Sequence, residues 1–282
     1  MKRNKSFDNK HPLLYLVATP IGNLSEISKR ALDIFNEMDI IAAEDTRNTF
    51  NLLSQYGIKK ELFSLREHNE VEASKHLIKL LREGKKIAYV SDAGYPGISD
   101  PGYLLVKAAI KEDINIATIS GSSAFINALV ASGLPTDHFY FFGFLPKKGN
   151  EAKTVLEDLK ERKETLIFYE SPHHIKETIN LLYAVLGNRD AVIARELTKL
   201  NEEYIRGTLE ELVKLDFETL KGEMVVLIDG NPSSSEDISD EQIEKKLQYY
   251  LGFGISKKVA IELTKDDFKI GKNRAYAIAQ KL

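Results

Sequence analysis

The stretch that decides the fold is Ile87-Ala-Tyr-Val-Ser-Asp-Ala-Gly-Tyr-Pro-Gly-Ile-Ser-Asp-Pro-Gly102. Its first four residues form an apolar run that predicts a buried strand. Three glycines and two prolines follow between Gly94 and Gly102, and apolar residues then recur at helical spacing from Leu104 to Ala109. This order predicts a ligand pocket at the carboxyl end of a strand in an α/β sheet. Glycine lets a ligand approach the backbone, and proline fixes the path. The alternative is an ordinary long connection between a strand and a helix.

Four further apolar runs in the first half predict strands, and polar or small residues follow each of them. The runs cover residues 13–18, 40–43, 62–65 and 114–119. The segments after them are Thr19-Pro-Ile-Gly-Asn-Leu24, Glu44-Asp45-Thr46-Arg47, Arg66-Glu-His68 and Ser120-Gly-Ser-Ser-Ala124. Sites in α/β sheets form at such strand ends. The competing interpretation is that Asp45 or Thr46, and the serines before Ala124, only cap helices.

Several classes of site are excluded or disfavoured by the motifs. The chain has no Gly-x-Gly-x-x-Gly fingerprint and no Gly-Lys-Ser/Thr phosphate loop, so a dinucleotide or a nucleoside triphosphate is not expected. It has no cysteine, which excludes thiolate metal sites. His173 and His174 make a poor metal pair, because helix neighbours face different directions. We therefore expect no metal.

The second half continues with strands and ends in helices. We expect Phe139–Leu145 to close a first α/β domain over residues 13–145, and a second α/β domain to cover residues 146–230. A polar linker follows at 231–239, and a helical module at 240–282 has inward-facing Val259 and Ala260. From Lys245 onward there are nine Lys and Arg against three Asp and Glu. Such a basic surface suits phosphates, although small helical hairpins are also common without nucleic acid.

Charge and length bound the remaining possibilities. The 282 residues suggest more than one domain, and the net charge of −3 does not by itself indicate nucleic-acid binding. Residues 1–12 form a basic N-terminal arm without the apolar core of a signal peptide. No apolar run is long enough to span a membrane. We therefore expect a cytoplasmic protein without a membrane partner.

Six motifs in order resemble one known family. They are Ala18-Thr-Pro-Ile-Gly-Asn-Leu24, Ala43-Glu-Asp-Thr-Arg47, Ser91–Gly102, Ser120-Gly-Ser-Ser-Ala124, Glu170-Ser-Pro-His173 and Arg195-Glu-Leu-Thr-Lys199. Together they are similar to the ribosomal RNA small subunit methyltransferase I family of the tetrapyrrole methylase superfamily. The resemblance runs from about Leu13 to Leu282. Tyr95 and His174 depart from the Thr and Arg usual in that family.

The resemblance implies a fold, a reaction and an assembly. The fold is α/β and two-lobed, tetrapyrrole-methylase-like, with a small C-terminal helical module. The reaction is methyl transfer from S-adenosyl-L-methionine to the ribose 2′-hydroxyl of a cytidine in the decoding region of 16S ribosomal RNA. The RNA is expected within the 30S subunit, and the enzyme is expected to be a homodimer. The alternatives are a precorrin-type tetrapyrrole C-methyltransferase and a non-catalytic nucleic-acid-binding protein.

The resemblance also assigns roles to individual residues. Donor contacts are expected at Pro20, Ser91, Asp92, Ala93, Gly94, Gly97, Ser123, Ala124, Ser171, Leu197 and Met224. The catalytic candidates are Glu44, Asp45 and Arg47, with Glu170 as a rival base. A carboxylate there accepts the hydroxyl proton, and Arg47 holds the neighbouring phosphate. RNA contacts are expected at Thr46, His173, Arg195, Lys199, Lys257, Lys258, Lys272 and Arg274.

Overall fold

The protein was analysed as a computed structural model that describes residues 5–7, 12–231, 239–268 and 270–282, apart from the side chains at 266 and 272. Most of the predicted N-terminal arm, most of the linker at 231–239 and the Lys272 side chain lie outside this description. Two five-stranded sheets and a C-terminal group of helices make up the described part. No helix in the described ranges is long and apolar enough to cross a membrane.

The first sheet is parallel and carries the predicted strand ends on one edge. Its strands are β1 (Leu13–Val17), β2 (Ile40–Ala43), β3 (Glu61–Ser64), β4 (Ile87–Val90) and β5 (Asn115–Ile119). Their order is β3-β2-β4-β1-β5, with every neighbouring pair parallel. All four residues of β2 and of β4 are buried, as expected for strands covered on both faces. The carboxyl ends of β1, β2, β4 and β5 therefore meet at the same edge.

Helices connect these strands and cover both faces of the sheet. They are α1 (Lys29–Glu37), α2 (Thr46–Gln55), α3 (Glu70–Arg82), α4 (Tyr103–Lys111) and α5 (Ala124–Ser132). One face buries Leu77 and Leu105 against the sheet, and the other buries Phe35 and Leu53. Helix α5 differs, because Ala128 and Leu129 pack into a cluster formed by the second sheet.

The second sheet is mixed. Its strands are β6 (Phe139–Phe144), β7 (Thr165–Glu170), β8 (Asp190–Arg195), β9 (Glu203–Thr208) and β10 (Met224–Ile228), in the order β6-β7-β10-β8-β9. Strands β6 and β7 are parallel and the other pairs are antiparallel. Helices α6 (Gly149–Leu159), α7 (Ile175–Leu186) and α8 (Leu209–Leu212) accompany it.

The placement of β6 differs from the sequence-based expectation. We expected Phe139–Leu145 to close the first domain, but β6 is an edge strand of the second sheet. Aromatic packing explains this placement, because the ring of Phe141 lies 5.0 Å from that of Tyr169 on β7. A register shift between Phe141 and Gly143 lets the strand follow β7.

The C-terminal helices are α9 (Asp240–Gly252), α10 (Lys257–Phe268) and α11 (Lys272–Ala279). They bury a small core that includes Ile243, Leu247, Ala260 and Ala275. Three helices were expected here. Val259 was expected to face inward, but it is 48% exposed. Ala260 is buried as expected, and Ile261 is buried where Val259 is not, so the buried stripe of α10 is shifted toward Ile261.

Candidate active site

A cavity of about 580 Å³ lies at the carboxyl edge of the first sheet, where it faces the second sheet. Its volume is in the range of sites for small molecules. The first sheet contributes the loops after β1, β2, β4 and β5, and the second contributes the ends of β6, β7 and β8 and the start of β10. The described residues that line it are Ile21, Glu44, Asp92, Ala93, Gly94, Tyr95, Ile98, Ser99, Asp100, Ser123, Ala124, Phe125, Phe144, Tyr169, Glu170, Glu196, Leu197, Lys199, Gly222, Glu223, Met224 and Val225.

The glycine-rich loop after β4 is held in place at both ends. Gly94 has a φ of +75°, and its backbone exchanges two hydrogen bonds with Thr19, at 2.9 and 3.1 Å. At the other end, the buried carboxylate of Glu70 accepts hydrogen bonds from the backbone N–H groups of Gly102 and Leu104, both at 2.8 Å. A Cβ on Gly102 would lie 2.7 Å from the ring of Tyr89. The loop therefore forms a preorganised wall rather than a loose connection.

Carboxylates dominate the charge of the cavity. Glu44, Asp92, Asp100, Glu170, Glu196 and Glu223 all line it, and Lys199 is the one Lys or Arg among the described lining residues. Burial raises the pKa of Asp100 from 3.8 to about 7, and the charges of Glu44, Asp92 and Glu223 add to the rise. A hydrogen bond from Ser91 opposes it. Such a wall stabilises a cationic ligand.

Glu44 faces the cavity at the end of β2. Burial raises the pKa of its carboxyl group, and the neighbouring Asp92 carboxylate raises it further. Asp92 in turn fixes the start of α2, because its two oxygens accept hydrogen bonds from the Asp45 backbone N–H at 3.1 Å and from the Asn48 amide at 2.8 Å. The predicted catalytic segment and the predicted donor loop are thus tied to each other.

Asp45 and Arg47 form an ion pair outside the cavity. Asp45 caps α2 by accepting the backbone N–H of Arg47 at 2.8 Å. Its carboxylate also accepts from the Arg47 guanidinium, at 3.1 Å from Nε and 2.6 Å from Nη2. These hydrogen bonds hold the pKa of Asp45 well below its usual range. The Arg47 side chain is 83% exposed, so it is accessible to a substrate at the cavity mouth.

Glu170 is a buried carboxylate with hydrogen bonds to both of its oxygens. Its Oε1 accepts the backbone N–H of Ser171 at 2.7 Å, and its Oε2 accepts the Thr178 hydroxyl. The residue is 7% exposed. This geometry joins the end of β7 to the start of α7 and shapes the cavity wall there.

The predicted site residues fall into three groups. The cavity brings together Glu44, Asp92, Ala93, Gly94, Ser123, Ala124, Glu170, Leu197, Lys199 and Met224. Depressions beside it hold Pro20 and Ser91 on one side of α2, and Thr46 and Arg47 on the other. The described lining of these three spaces does not include Asp45, Gly97, Ser171 or His173. Arg195 lines a separate depression and pairs with Glu203 at 2.5 Å.

The basic residues of the tail lie in the C-terminal helices. Lys257 and Lys258 are exposed at the start of α10. Arg274 donates to Asp240 at 2.8 Å and so ties α11 to α9.

Sequence reasoning did not assign Asp100, Tyr95 or the aromatic wall to the site. Asp100 lies at the far end of the loop from Asp92, and its position as the last acid before a Pro-Gly pair was the available signal. The hydroxyl of Tyr95 accepts the backbone N–H of Gly121 at 3.2 Å and so bridges two cavity loops. Phe144 and Tyr169 come from the second sheet, and their rings lie 5.5 Å apart. No local pattern indicated that these strands face the loops of the first sheet.

Comparison with known proteins gives a consistent picture. A family model described as Tetrapyrrole (Corrin/Porphyrin) Methylases matches residues 13–213. Ribosomal RNA small subunit methyltransferase I of Halalkalibacterium halodurans is 45% identical over 288 residues, covering 99% of each chain. The protein of the same name from Bacillus subtilis is 39% identical over 286 residues, covering 98% of this chain and 97% of the relative.

Solved structures share the fold at low sequence identity. The methyltransferase CobJ superimposes with a TM-score of 0.59 at 18% identity, covering 79% of this chain and 95% of CobJ. Uroporphyrin-III-C-methyltransferase from Thermus thermophilus gives 0.56 at 19% identity, covering 78% and 95%. Both align over most of this chain, as expected for a common two-sheet architecture.

Proposed function

Since this chain belongs to the ribosomal RNA small subunit methyltransferase I family, a branch of the tetrapyrrole methylases, we propose its reaction in detail. It transfers the methyl group of S-adenosyl-L-methionine to the ribose 2′-hydroxyl of a cytidine in the decoding region of 16S ribosomal RNA. The observation that carries the proposal is the anionic cavity between the two sheets, with the exposed Arg47 in a depression that starts two residues after Glu44 of the cavity wall.

The residues of the cavity fit this methyl donor. The donor supplies an activated methyl group on a positively charged sulfur, and the carboxylate-rich wall favours that charge. Leu197 and Met224 are buried and apolar, which suits the face of an adenine. The backbone of Ala93 and the start of α5 at Ser123 offer polar groups to the rest of the donor, and Gly94 holds this segment against Thr19. Pro20, Ser91, Asp92, Gly97, Ala124 and Ser171 support these segments.

Glu44 is the residue that we assign as proton acceptor. It lines the cavity, and its raised pKa makes it a stronger base than an ordinary glutamate. As the new C–O bond forms and the methyl–sulfur bond breaks, the hydroxyl proton passes to its carboxylate. Asp45 is a weaker base, because Arg47 holds its pKa low. We therefore assign to Asp45 the orientation of Arg47, and to Arg47 the phosphate beside the target ribose.

Glu170 has a supporting role in this proposal. Both of its oxygens already accept hydrogen bonds from Ser171 and Thr178, so it shapes the cavity rather than taking the proton. Lys199 is the lining cation and is paired with Glu196 at 2.9 Å. It suits an approaching phosphate. The remaining RNA contacts that we propose are Thr46, His173, Arg195, Lys257, Lys258, Lys272 and Arg274.

The proposed assembly is a cytoplasmic homodimer that acts on the 30S subunit. Exposed apolar residues support self-association: Val130 on α5 is 71% exposed, Ile126 one turn before it is also exposed, and the exposed Phe139 lies 6.2 Å from the ring of Phe125 on the same helix. Contiguous apolar patches on a surface commonly mark contacts between proteins. Sedimentation at several concentrations measures the assembly.

Transfer of labelled methyl groups tests the function directly. Small subunits that lack the modification are incubated with the enzyme and methyl-labelled donor, and the labelled nucleotide is mapped. We expect label on the 2′-oxygen of one cytidine in the decoding region. Label on a base, on another RNA region or on a tetrapyrrole in place of the subunit would refute the proposed reaction.

A further inference from the structure

An open groove runs along the outer face of α2, beside the mouth of the cavity. Its volume is about 470 Å³, and it is lined by Thr46, Arg47, Phe50, Asn51 and Leu62. Glu44 lines the cavity and Thr46 lines the groove. Two residues of chain span at most about 7 Å. The groove therefore begins close to Glu44, the residue that we assign as proton acceptor.

Phe50 gives the groove an aromatic surface. The residue is 60% exposed, so its ring is open to solvent beside Arg47. Arg47 and Phe50 are three residues apart on one helix, so they lie on the same face. No aromatic ring contact among the described residues involves Phe50, so its ring is available for a ligand.

The charges beside Phe50 favour an anion. Asp45 accepts hydrogen bonds from Nε and Nη2 of Arg47, whereas a guanidinium carries five N–H donors. The guanidinium of Arg66 lies 3.9 Å from the same carboxylate. Two arginines therefore share one aspartate, and Arg47 keeps N–H donors at the edge of the groove that suit a phosphate.

We propose that this groove is a subsite for the nucleotide next to the methylated one, with its base stacked on Phe50 and its phosphate held by Arg47. The inference rests on the proposed function, because it requires an RNA strand with one ribose in the cavity. Such a strand must carry the neighbouring nucleotide past the cavity mouth. An exposed aromatic ring with an adjacent guanidinium is the combination that binds unpaired RNA bases. A base in a duplex does not offer its face, so the subsite selects an unpaired segment.

Three variants test the subsite. Phe50→Ala removes the ring, Phe50→Tyr keeps it, and Tyr183→Ala is a control that removes an exposed aromatic from α7. Stacking on one base corresponds to roughly 5- to 150-fold in binding, and we expect Phe50→Ala to raise the KM for unmodified small subunits about tenfold. The kcat, the donor Kd and the melting temperature should stay at wild-type values. Phe50→Tyr and Tyr183→Ala should match the wild type.

Each other result overturns the subsite. An unchanged KM for Phe50→Ala shows that no base stacks there. An equal loss in Phe50→Tyr shows that the ring itself is not recognised, and a weaker donor Kd shows that Phe50 shapes the donor site instead. If the wild type does not methylate subunits, the proposed function fails separately. In that case, fluorescence anisotropy with a labelled unpaired oligoribonucleotide tests the stacking on Phe50. Weaker binding by Phe50→Ala than by the wild type, Phe50→Tyr and Tyr183→Ala supports the subsite, and equal binding by all four proteins overturns it.

Discussion

Replacing Asp100 by asparagine should make the protein more stable at pH 8 but change it little at pH 4. Burial raises the pKa of Asp100 to about 7, so the folded protein resists ionisation that the unfolded chain undergoes near pH 4. Below pH 4 the Asp100 carboxyl group is protonated in both the folded and the unfolded state, so its burial does not lower the free energy of unfolding there. The cost grows between pH 4 and pH 7 and is complete above pH 7. Asparagine has no charge to bury and removes this cost.

The size of the effect follows from the pKa difference. A rise from 3.8 to about 7 is roughly 3 units, and each unit corresponds to 1.36 kcal/mol, which gives about 4 kcal/mol as a ceiling. Solvent reaches part of the cavity and screens the charge, so we expect about 2 kcal/mol. For a chain of this size, that amount raises the melting temperature by roughly 3 °C.

Thermal unfolding at pH 4 and at pH 8 measures the difference between the variant and the wild type. The matched control is Asp158→Asn, which neutralises an exposed aspartate on α6 and should move stability by less than about 0.5 kcal/mol at either pH. An Asp100→Asn variant that gains equally at both pH values, or that is less stable at pH 8, would refute the reasoning. An equal gain would mean that the effect does not depend on ionisation, and a loss at pH 8 would mean that the Asp100 carboxylate is stabilised when charged.

The other predictions concern catalysis and RNA binding. Glu44→Gln should lower kcat by about 10²- to 10⁴-fold and leave the donor affinity measured by calorimetry unchanged. In the wild type, the rate should fall on the acid side at a pH above the usual glutamate pKa, because burial raises the pKa of Glu44. If the Glu44→Gln variant keeps the pH–rate profile of the wild type, Glu44 is not the proton acceptor. Asp45→Ala should lower the free energy of unfolding by about 1 kcal/mol, because the cap of α2 is lost. It should also impair methyl transfer while the donor still binds. Loss of donor binding would instead place Asp45 in the donor site. Deleting residues 232–282 should weaken binding to the small subunit more than binding to the donor, and full activity on subunits after the deletion would contradict the role of the tail.

The first sheet was predictable from sequence, because each of its strands is a short apolar run followed by a marked turn. Four of these runs end in the segments that line or adjoin the cavity. The second sheet was less predictable, because its antiparallel order depends on contacts between distant strands. The placement of β6 depends on the ring of Phe141 packing on Tyr169, which no local periodicity encodes.

The candidate site shows the same division. Residues within motifs, such as Glu44 and Gly94, were found because their chemistry and their strand-end positions coincide. Asp100 was recognised only as the end of a loop, because its raised pKa arises from burial and from the charges of Glu44 and Glu223 on distant segments, as well as from Asp92 on its own loop. The inward orientation predicted for Val259 was wrong, because the few apolar residues of α10 are compatible with more than one choice of buried face.

The packing of α5 has a consequence for how the molecule comes apart. This helix begins at the cavity in the first half of the chain, yet Ala128 and Leu129 are buried among strands of the second sheet. Moving the sheets apart would therefore either strip α5 from that apolar cluster, at a cost of roughly 25 cal/mol per Å² of apolar surface, or pull it away from the first-sheet loops that line the cavity. The two halves should melt in one cooperative transition, and amide hydrogens of α5 should exchange with solvent as slowly as those of β10. The cavity walls at Ser123 on one side and Met224 on the other should then lose their structure together rather than one after the other.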